Sequence, residues 1–175
     1  MAGTDGRLEL IENISSLAGA TSDLRESLDA FVKAIASGME TEVCSLYLFE
    51  PTQKRLILRA TVGLERDSVG KVSMRTSEGL VGMVIETMAP VVVADAISHP
   101  RYKYFPETGE ERYHSFLGVP VQSSHNEPIG VLVTQTLRKR KFTAGEVRLL
   151  RAAGNQLAQM LNHFRLRQTL ATKEK

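Results

Sequence analysis

Residues 115–136, with the sequence SFLGVPVQSSHNEPIGVLVTQT, decide the fold. Within this stretch, residues 115–121 and 129–136 are rich in β-branched side chains, and the segment between them carries the turn formers Ser, Asn and Pro. This pattern predicts two strands joined as an antiparallel hairpin. Residues 43–49 and 56–62 repeat the pattern around a Pro-Thr-Gln-Lys turn, which predicts a second hairpin.

Helical periodicity precedes these hairpins. Over residues 8–39, apolar side chains recur at steps of three and four, with an interruption by a Gly-Ala-Thr-Ser segment. The pattern predicts two helices, over about residues 5–18 and 22–38. We expect Ser22 to cap the second helix and Gly38 to end it.

Shorter elements lie between the hairpins, and a long helix follows them. Residues 71–74 predict a short edge strand, residues 77–87 a short helix, and the valine run 91–93 another strand. Near the C-terminus, Thr143 stands three residues before Glu146, which is the spacing of a capping box at the start of a helix. An amphipathic pattern then continues for more than twenty residues.

The order of these elements predicts an α+β fold. Only one pair of predicted strands is separated by a helix of crossover length, so a parallel doubly wound sheet is disfavoured. An antiparallel sheet with helices on its faces accommodates every element. The residues 95–113, here called the lid, then have to cross the sheet as a long connection.

Composition limits the classes of function. The chain has 175 residues, 22 Lys plus Arg against 20 Asp plus Glu, a net charge of +2 and 42% hydrophobic residues. These values are typical of one globular domain and predict no nucleic-acid or membrane partner. The one cysteine, Cys44, cannot form an internal disulfide, and the start of the chain lacks the pattern of a signal peptide. We therefore expect a cytoplasmic protein.

No group of side chains predicts catalysis or metal binding. Cys44 falls in an apolar strand, where we expect it to be buried and inert. Glu110 and His114 supply at most two metal ligands, and the basic run 138–141 has no interleaved aromatic residue for stacking on bases. We predict that the chain is not an enzyme and holds no metal or cofactor.

The lid is the most informative segment for function. It is dense in aromatic and charged residues, namely Arg101, Tyr102, Lys103, Tyr104, Phe105, Glu110 and Glu111. Long loops that lie across a sheet are common places for small-ligand sites, so the lid predicts a pocket for a small polar metabolite. An ordinary covering loop explains the same residues equally well.

Several motifs together resemble a GAF domain over residues 22–165. They are CSLYL at 44–48, EGLVG at 78–82, DA at 95–96, FLGVPV at 116–121, IGVL at 129–132, and FT at 142–143 with Glu146. A narrower set is similar to the N-terminal GAF domains of nitrogen-related phosphoenolpyruvate-protein phosphotransferases, paralogues of enzyme I. This set comprises TEVCS at 41–45, HP at 99–100, KY at 103–104, and EER at 110–112 with FLGVP at 116–120.

The resemblance implies a GAF/PAS-like six-stranded antiparallel sheet with helices on both faces and long N- and C-terminal helices. It divides the chain into an N-terminal helix over residues 1–21, the GAF domain over 22–165, and a helix end over 166–175. That end would lead to a downstream phosphotransferase region outside this chain. The Gly-rich Thr-Ser-His signature of the phosphorylated histidine is absent from the sequence, so no phosphate transfer by this chain is expected.

Similar domains imply a metabolite of the glutamine or 2-oxoglutarate class. We expect Arg101 or Arg112 to pair with its carboxylate, because a guanidinium matches a carboxylate bidentately. The remaining predicted contacts are apolar packing by Tyr104 and Phe116 and acceptance of hydrogen bonds by Asp95, Glu111 and Gln135. The sequence lacks the Asn-Lys pair of cyclic-nucleotide binders and the several cysteines of free methionine sulfoxide reductases.

The apolar pattern of the terminal helices predicts that two copies of the chain associate. Residues 8–35 and 147–170 carry more apolar positions than one sheet face can cover, so we expect a homodimer through these helices. Ligand binding would order the lid and shift the packing of the same helices. The alternative is a dimerisation or protein-interaction GAF module that takes no ligand.

Overall fold

A computed structural model describes residues 4–17 and 21–173. Within these residues the chain forms four α-helices and one six-stranded antiparallel sheet. In chain order the elements are α1 (Thr4–Leu17), α2 (Leu24–Met39), β1 (Val43–Glu50), β2 (Arg55–Val62), β3 (Ser73–Arg75), α3 (Gly79–Thr87), β4 (Val91–Val93), β5 (Ser115–Gln122), β6 (Pro128–Thr136) and α4 (Ala144–Lys173).

The two predicted hairpins form the body of the sheet. The strand order is β3-β2-β1-β6-β5-β4, and each neighbouring pair is antiparallel. The first and last long strands therefore meet at the centre, where Tyr47 of β1 lies opposite Val131 of β6. The predicted α+β class with a six-stranded antiparallel sheet is confirmed.

Side-chain alternation gives the sheet two different faces. Leu46 and Leu132 point to one face and pack with α1, α2 and α4 in the larger apolar cluster. Their neighbours Tyr47 and Val131 point to the other face and pack with α3 and the lid. We call these the helix face and the lid face.

The start of α2 differs from the prediction by one residue. Asp23, rather than Ser22, is the N-cap, and its carboxylate accepts a hydrogen bond of 2.8 Å from the backbone N–H of Arg25. A carboxylate also stabilises the positive end of the helix dipole, which a hydroxyl does not. Residue 18 of the first predicted helix and residues 19–20 of the predicted interruption lie outside the described residues.

The end of α2 also corrects a prediction. Gly38 does not end the helix, which continues to Met39, and Glu40 takes the left-handed conformation with φ of 55°. Gly38 instead allows close packing of α1, because a Cβ there would lie 2.8 Å from Cδ1 of Leu10. The glycine in this sequence signals helix contact and not helix termination.

The capping box of α4 is confirmed. The backbone N–H of Glu146 donates to Oγ1 of Thr143 at 3.2 Å, and the N–H of Thr143 donates to Oε2 of Glu146 at 2.7 Å. Arg140 adds two hydrogen bonds to the Glu146 carboxylate, at 3.0 and 2.9 Å. The N-terminus of the long helix is thereby fixed to the end of the connection from β6.

Short turns shape the backbone of the lid. The structure has 3₁₀ turns at Pro106–Thr108 and Glu110–Arg112, with a third at Ala96–Ser98. Gly109 separates the first two with φ of 67°, a left-handed conformation that cannot continue a right-handed helix. The predicted edge strand over 71–74 is present as β3, shifted toward the C-terminus.

Candidate ligand-binding site

The lid covers a small cavity on the lid face of the sheet. The cavity has a volume of about 30 Å³. Its apolar wall includes Tyr47, Met74, Leu80, Val81, Phe105 and Phe116. Its polar groups come from Tyr102, Lys103, Glu110 and Gln135. The arrangement is an apolar chamber with a few convergent polar side chains, which is typical of small-molecule sites.

The sheet forms the floor of this cavity. Phe116 of β5 and Gln135 of β6 are direct partners in the strand register, and both are buried. Tyr47 reaches the same face from β1, next to an irregularity in the register with β2. Burial raises the pKa of the Tyr47 hydroxyl, and the charge of Glu110 adds to the rise. The floor is therefore rigid and apolar, with an amide at one position.

Glu110 brings a carboxyl group to the lid side of the cavity. Its Oε1 accepts a long hydrogen bond of 3.4 Å from the backbone N–H of Phe105. Among the described residues, no lysine, arginine or histidine forms an ion pair with it. Burial raises the pKa of Glu110 to about 7, and the Glu111 carboxylate contributes to the rise. Near neutral pH the cavity thus carries an uncompensated negative charge for part of the time.

Tyr102 places a second polar group without a partner at the cavity. Its hydroxyl is buried and makes no hydrogen bond within the part of the chain that the structure describes. Burial, with the carboxylates of Glu110 and Glu111, raises the pKa of Tyr102 to about 12. Because buried polar groups are nearly always hydrogen-bonded, a hydroxyl without a partner in a cavity-lining residue is available to a ligand or a water molecule.

Two ion pairs fasten the lid to α3 and its N-terminal approach. Arg101 Nη1 lies 2.8 Å from Glu86 Oε2, and Arg101 Nη2 donates to the Ser77 carbonyl at 3.2 Å. Lys103 Nζ lies 2.9 Å from Glu78 Oε1. These charged groups are partly exposed, and such pairs contribute little to stability in water. These two ion pairs therefore add little to the stability of the closed lid, which rests mainly on the packing of Ala96, Tyr102 and Phe105.

The far end of the lid has a stronger anchor. The Tyr113 hydroxyl donates to the backbone carbonyl of Gly63 at 2.7 Å, and the ring of Tyr113 is buried beside Val43 and Leu64. A buried hydrogen bond between residues so distant in sequence fixes where the lid rejoins the sheet. Movement of the lid is therefore expected near Arg101 and not near Tyr113.

Asp95 lies at the start of the lid and is not among the residues that line the cavity. Lys139 Nζ lies 2.8 Å from Asp95 Oδ2, Ser98 Oγ lies 2.9 Å from the same oxygen, and His114 Nδ1 lies 3.3 Å from Oδ1. Hydrogen bonds from Lys139, Ser98 and His114 hold the pKa of Asp95 at about 2. In this conformation Asp95 joins the end of β4 to the connection between β6 and α4.

The predicted site residues divide into two groups. Phe116 and Gln135 line the cavity and stay candidate contact residues. The other five predicted residues lie outside the cavity. Asp95 makes the contacts described above, and Arg101 pairs with Glu86. Tyr104 exposes 46% of its surface, and Glu111 and Arg112 are also exposed. Their role in binding stays a prediction.

Two cavity-lining residues that the sequence did not predict as ligand contacts are direct neighbours of residues that it did predict. Tyr102 lines the cavity instead of Tyr104, and Glu110 lines it instead of Glu111. The dense stretch of aromatic and charged residues indicated the segment that covers the cavity. Which neighbour faces inward depends on the 3₁₀ turns, and those have no strong pattern in sequence. Tyr47 was detectable, because strand alternation places it on the same face as Val131.

Other kinds of chemistry find little support in the structure. Cys44 is buried in β1, and burial raises the pKa of its thiol, so the reactive thiolate is disfavoured. Within residues 4–17 and 21–173, no three His, Cys, Asp or Glu side chains cluster as metal ligands. Of the helices in this part of the chain, none has the length and apolarity that a membrane crossing requires.

Comparison with known proteins gives concordant results. The model of the GAF domain family matches residues 21–162. A phosphoenolpyruvate-dependent phosphotransferase system protein of Escherichia coli K12 is 35% identical over 158 residues, which are 90% of this chain and 20% of that protein. The chain therefore spans about a fifth of the length of this curated relative.

Two solved structures are similar along nearly their whole length. The GAF domain from a phosphoenolpyruvate-protein phosphotransferase of Coxiella burnetii is 32% identical with a TM-score of 0.86, covering 94% of this chain and 98% of that one. The GAF domain from the Acinetobacter phosphoenolpyruvate-protein phosphotransferase is also 32% identical, with a TM-score of 0.82, covering 97% and 99%.

Proposed function

Because the chain belongs to the GAF domain family, we propose that it binds a small polar metabolite beneath the lid and signals through its terminal helices. It is a regulatory GAF domain of the type found in phosphoenolpyruvate-protein phosphotransferases, and not itself the enzyme. In this proposal the metabolite is of the glutamine or 2-oxoglutarate class. The partner that receives the signal is a downstream phosphotransferase region of the nitrogen-related type, acting in the cytoplasm.

The observation that carries the proposal is the cavity with its unsatisfied polar groups. Glu110 has no cationic partner among the described residues, and the Tyr102 hydroxyl has no hydrogen bond there. A protein that used the lid only as a cover would gain stability from apolar side chains at both positions. Retaining these groups at a cost in stability supports a binding role.

The volume of the cavity sets a condition on binding. About 30 Å³ is a tenth of the lower end of the range for pockets that hold drug-sized ligands, about 300 Å³. An amino acid or dicarboxylic acid can therefore enter only if the lid moves. The exposed ion pairs of Arg101 and Lys103 oppose that movement only weakly. Ligand binding and lid displacement are one event in this proposal.

We expect L-glutamine or 2-oxoglutarate to bind the domain in a saturable manner and to raise its melting temperature. Replacing Gln135 with leucine should weaken that binding by about 10-fold, the usual effect of one lost hydrogen bond to a ligand. Isothermal titration and thermal shift measure both effects. Gln53→Leu, in the exposed turn between β1 and β2, is the matched control and should bind like the wild type. An absence of binding by both compounds and by a wider metabolite panel would contradict the proposal.

A second candidate function is an interaction module that takes no ligand. The small volume of the cavity favours this candidate, because the lid already fills most of the space over the sheet. It predicts no thermal shift with any metabolite, and it retains association through the helices. The titrations described above therefore discriminate between the two functions.

Both functions include a homodimer through the terminal helices. Leu8 of α1 and Leu166 and Leu170 of α4 expose 59%, 57% and 63% of their surface. A second copy is the partner that would cover these leucines. We expect light scattering to give about twice the 19.3 kDa mass of one chain. A double variant, with Leu166→Lys and Leu170→Lys, should have the mass of a monomer. Leu137→Lys, at an exposed leucine outside the helices, should leave the dimer intact. A monomeric wild type at high concentration would contradict the dimer.

A further inference from the structure

We propose that the exposed surface at the start of α4 docks an acidic segment of a protein partner. The surface consists of Leu137, Arg138 and Lys141 from the connection between β6 and α4, with Arg148 and Arg151 from the helix itself. We call it the basic patch. The inference goes beyond the proposed function, because it needs no metabolite and names a second surface through which the domain meets another protein.

Charge is distributed unevenly along the chain. Residues 138–173 contain nine lysines and arginines against one acidic residue, Glu146, whereas residues 1–137 contain 12 basic and 18 acidic residues. The small net charge of +2 is therefore the sum of a negative N-terminal part and a positive C-terminal part. A local concentration of one sign of charge attracts partners of the opposite sign.

Two of the basic residues near the start of α4 are used within the fold. Lys139 pairs with Asp95 at 2.8 Å, and Arg140 pairs with Glu146 at 2.9 Å. Four more are exposed and form neither an ion pair nor a side-chain hydrogen bond with any described residue: Arg138, Lys141, Arg148 and Arg151. These four charges are available to a partner.

The free cations do not favour the start of the helix. Arg148 and Arg151 are three positions apart on α4, so they lie on the same face and repel each other. Lys141 stands shortly before the positive end of the helix dipole, where an acidic residue would be favoured. A helix start with a structural role alone would gain stability from acidic residues at such positions. The retained cations therefore support a binding role.

The side chains of the patch indicate the kind of partner. Leu137 exposes 48% of its surface beside Arg138, so the patch contains an apolar contact as well as charges. The ring of Phe142 is buried with the Arg140 guanidinium 4.3 Å from its centre, and it offers no surface on which a nucleic-acid base could stack. Arginine binds carboxylates through two parallel hydrogen bonds. A protein segment in which glutamate or aspartate flanks an apolar residue matches these features.

The basic patch is separate from the leucines of the proposed homodimer. Arg151 and Leu166 are 15 positions apart on α4, which corresponds to about 22 Å along the helix axis. A partner at the patch and a second copy at Leu166 can therefore bind at the same time.

The deciding experiment uses an acidic peptide as the probe. A fluorescent peptide of Glu-Leu-Glu-Glu repeats is titrated with the whole chain, and fluorescence anisotropy measures binding at about 0.15 M salt. A peptide of Glu-Ser-Glu-Glu repeats and a single-stranded DNA oligonucleotide of the same charge are titrated in parallel. We expect saturable binding of the leucine peptide, at least about 5-fold tighter than that of the serine peptide, because Leu137 gains an apolar contact. The oligonucleotide should bind more weakly than the leucine peptide.

Charge reversal assigns the binding to the basic patch. The double variant Arg148→Glu with Arg151→Glu should bind the leucine peptide at least about 30-fold more weakly, since two attractions become two repulsions. Glutamate replaces a repelling pair of arginines near the helix start, so this variant should fold, which circular dichroism checks. Arg59→Glu with Arg75→Glu makes the same change of charge at exposed positions of β2 and β3 and should bind within about 2-fold of the wild type.

The contradicting outcomes are distinct from those of the metabolite titrations. If the leucine peptide does not bind, or if the two double variants bind it equally, the basic patch is not a docking surface. Equal affinity of the wild type for the leucine and serine peptides would show attraction by charge alone and would overturn the match to an acidic and apolar segment. Tighter binding of the oligonucleotide through Arg148 and Arg151 would replace the protein partner with a nucleic acid. None of these results depends on metabolite binding, so the proposed function is tested separately.

Discussion

Replacing Gly130 with alanine is expected to prevent the domain from folding. Gly130 lies in β6 between Leu48 of β1 and Val121 of β5. A Cβ at this position would overlap the carbonyl oxygen of Tyr47 and lie 3.2 Å from the Cα of Leu48. Both obstacles are backbone atoms of the central strands, so they cannot move without breaking the sheet. The cost should exceed about 4 kcal/mol, which is comparable to the whole stability of many domains.

Soluble yield, circular dichroism and urea denaturation measure this effect. Gly154→Ala is the matched control on α4, since a Cβ there would lie 3.6 Å from Cγ2 of Val121, an ordinary contact distance. Alanine is the better helix former by about 1 kcal/mol, so this variant should be as stable as the wild type or slightly more stable. A folded Gly130→Ala domain with wild-type stability would show that β1 and β6 do not approach as described.

The second large effect is a loss of stability as the pH is raised through neutrality. The pKa of Glu110 is raised from 4.5 to about 7 in the folded protein. Between these values the folded state holds a proton that the unfolded state has lost, so stability falls as the pH rises. The stabilising contribution is complete below pH 4.5 and is lost above about 7. For a partly buried carboxyl group we expect a total loss of roughly 2–3 kcal/mol.

Urea denaturation at a series of pH values, in the wild type and in Glu110→Gln, isolates this loss. The glutamine variant does not titrate, so the difference in unfolding free energy between the two proteins should change across the window from 4.5 to about 7. Glu127→Gln, in the exposed turn between β5 and β6, is the control and should follow the wild type throughout. A constant difference between the wild type and Glu110→Gln would contradict the burial of this carboxyl group.

The titration of Asp95 affects the stability of the fold in a different range of pH. Its pKa is lowered from 3.8 to about 2, so its contribution to stability is present above 3.8 and is lost as the pH falls through about 2. Tyr102 acts at the alkaline end, because its pKa is raised from 10 to about 12. Neither group interferes with the measurement on Glu110.

The fold was predictable because its strands carry a strong local pattern. The β-branched runs around residues 43–62 and 115–136 specify two hairpins, and the capping box at Thr143 specifies the start of α4. The errors are at the ends of α2, where several residues can serve as caps. Asp23 was preferred to Ser22 as N-cap, and the left-handed Glu40 follows the last helical residue although Gly38 is close by. Such choices depend on neighbouring packing and not on propensity alone.

The candidate site was predictable by segment but not by residue. Phe116 and Gln135 lie on regular strands, where alternation determines the direction of each side chain. The lid has no such periodicity, and its 3₁₀ turns on either side of Gly109 decide that Glu110 and not Glu111 faces the cavity. Arg101, which was predicted to bind the carboxylate of the metabolite, pairs with Glu86 instead. Glu86 lies 15 positions earlier in the sequence, so the sequence alone does not show that the two side chains are close.

The two outermost strands, β3 and β4, have three residues each. An open strand exposes unpaired N–H and C=O groups that a strand from another molecule can extend. Three residues offer too few of these groups to recruit a neighbour firmly, so edge-to-edge growth into fibrils or swapped assemblies is disfavoured. High local concentrations of the domain therefore do not endanger the sheet, and the proposed homodimer uses the leucine-bearing termini instead.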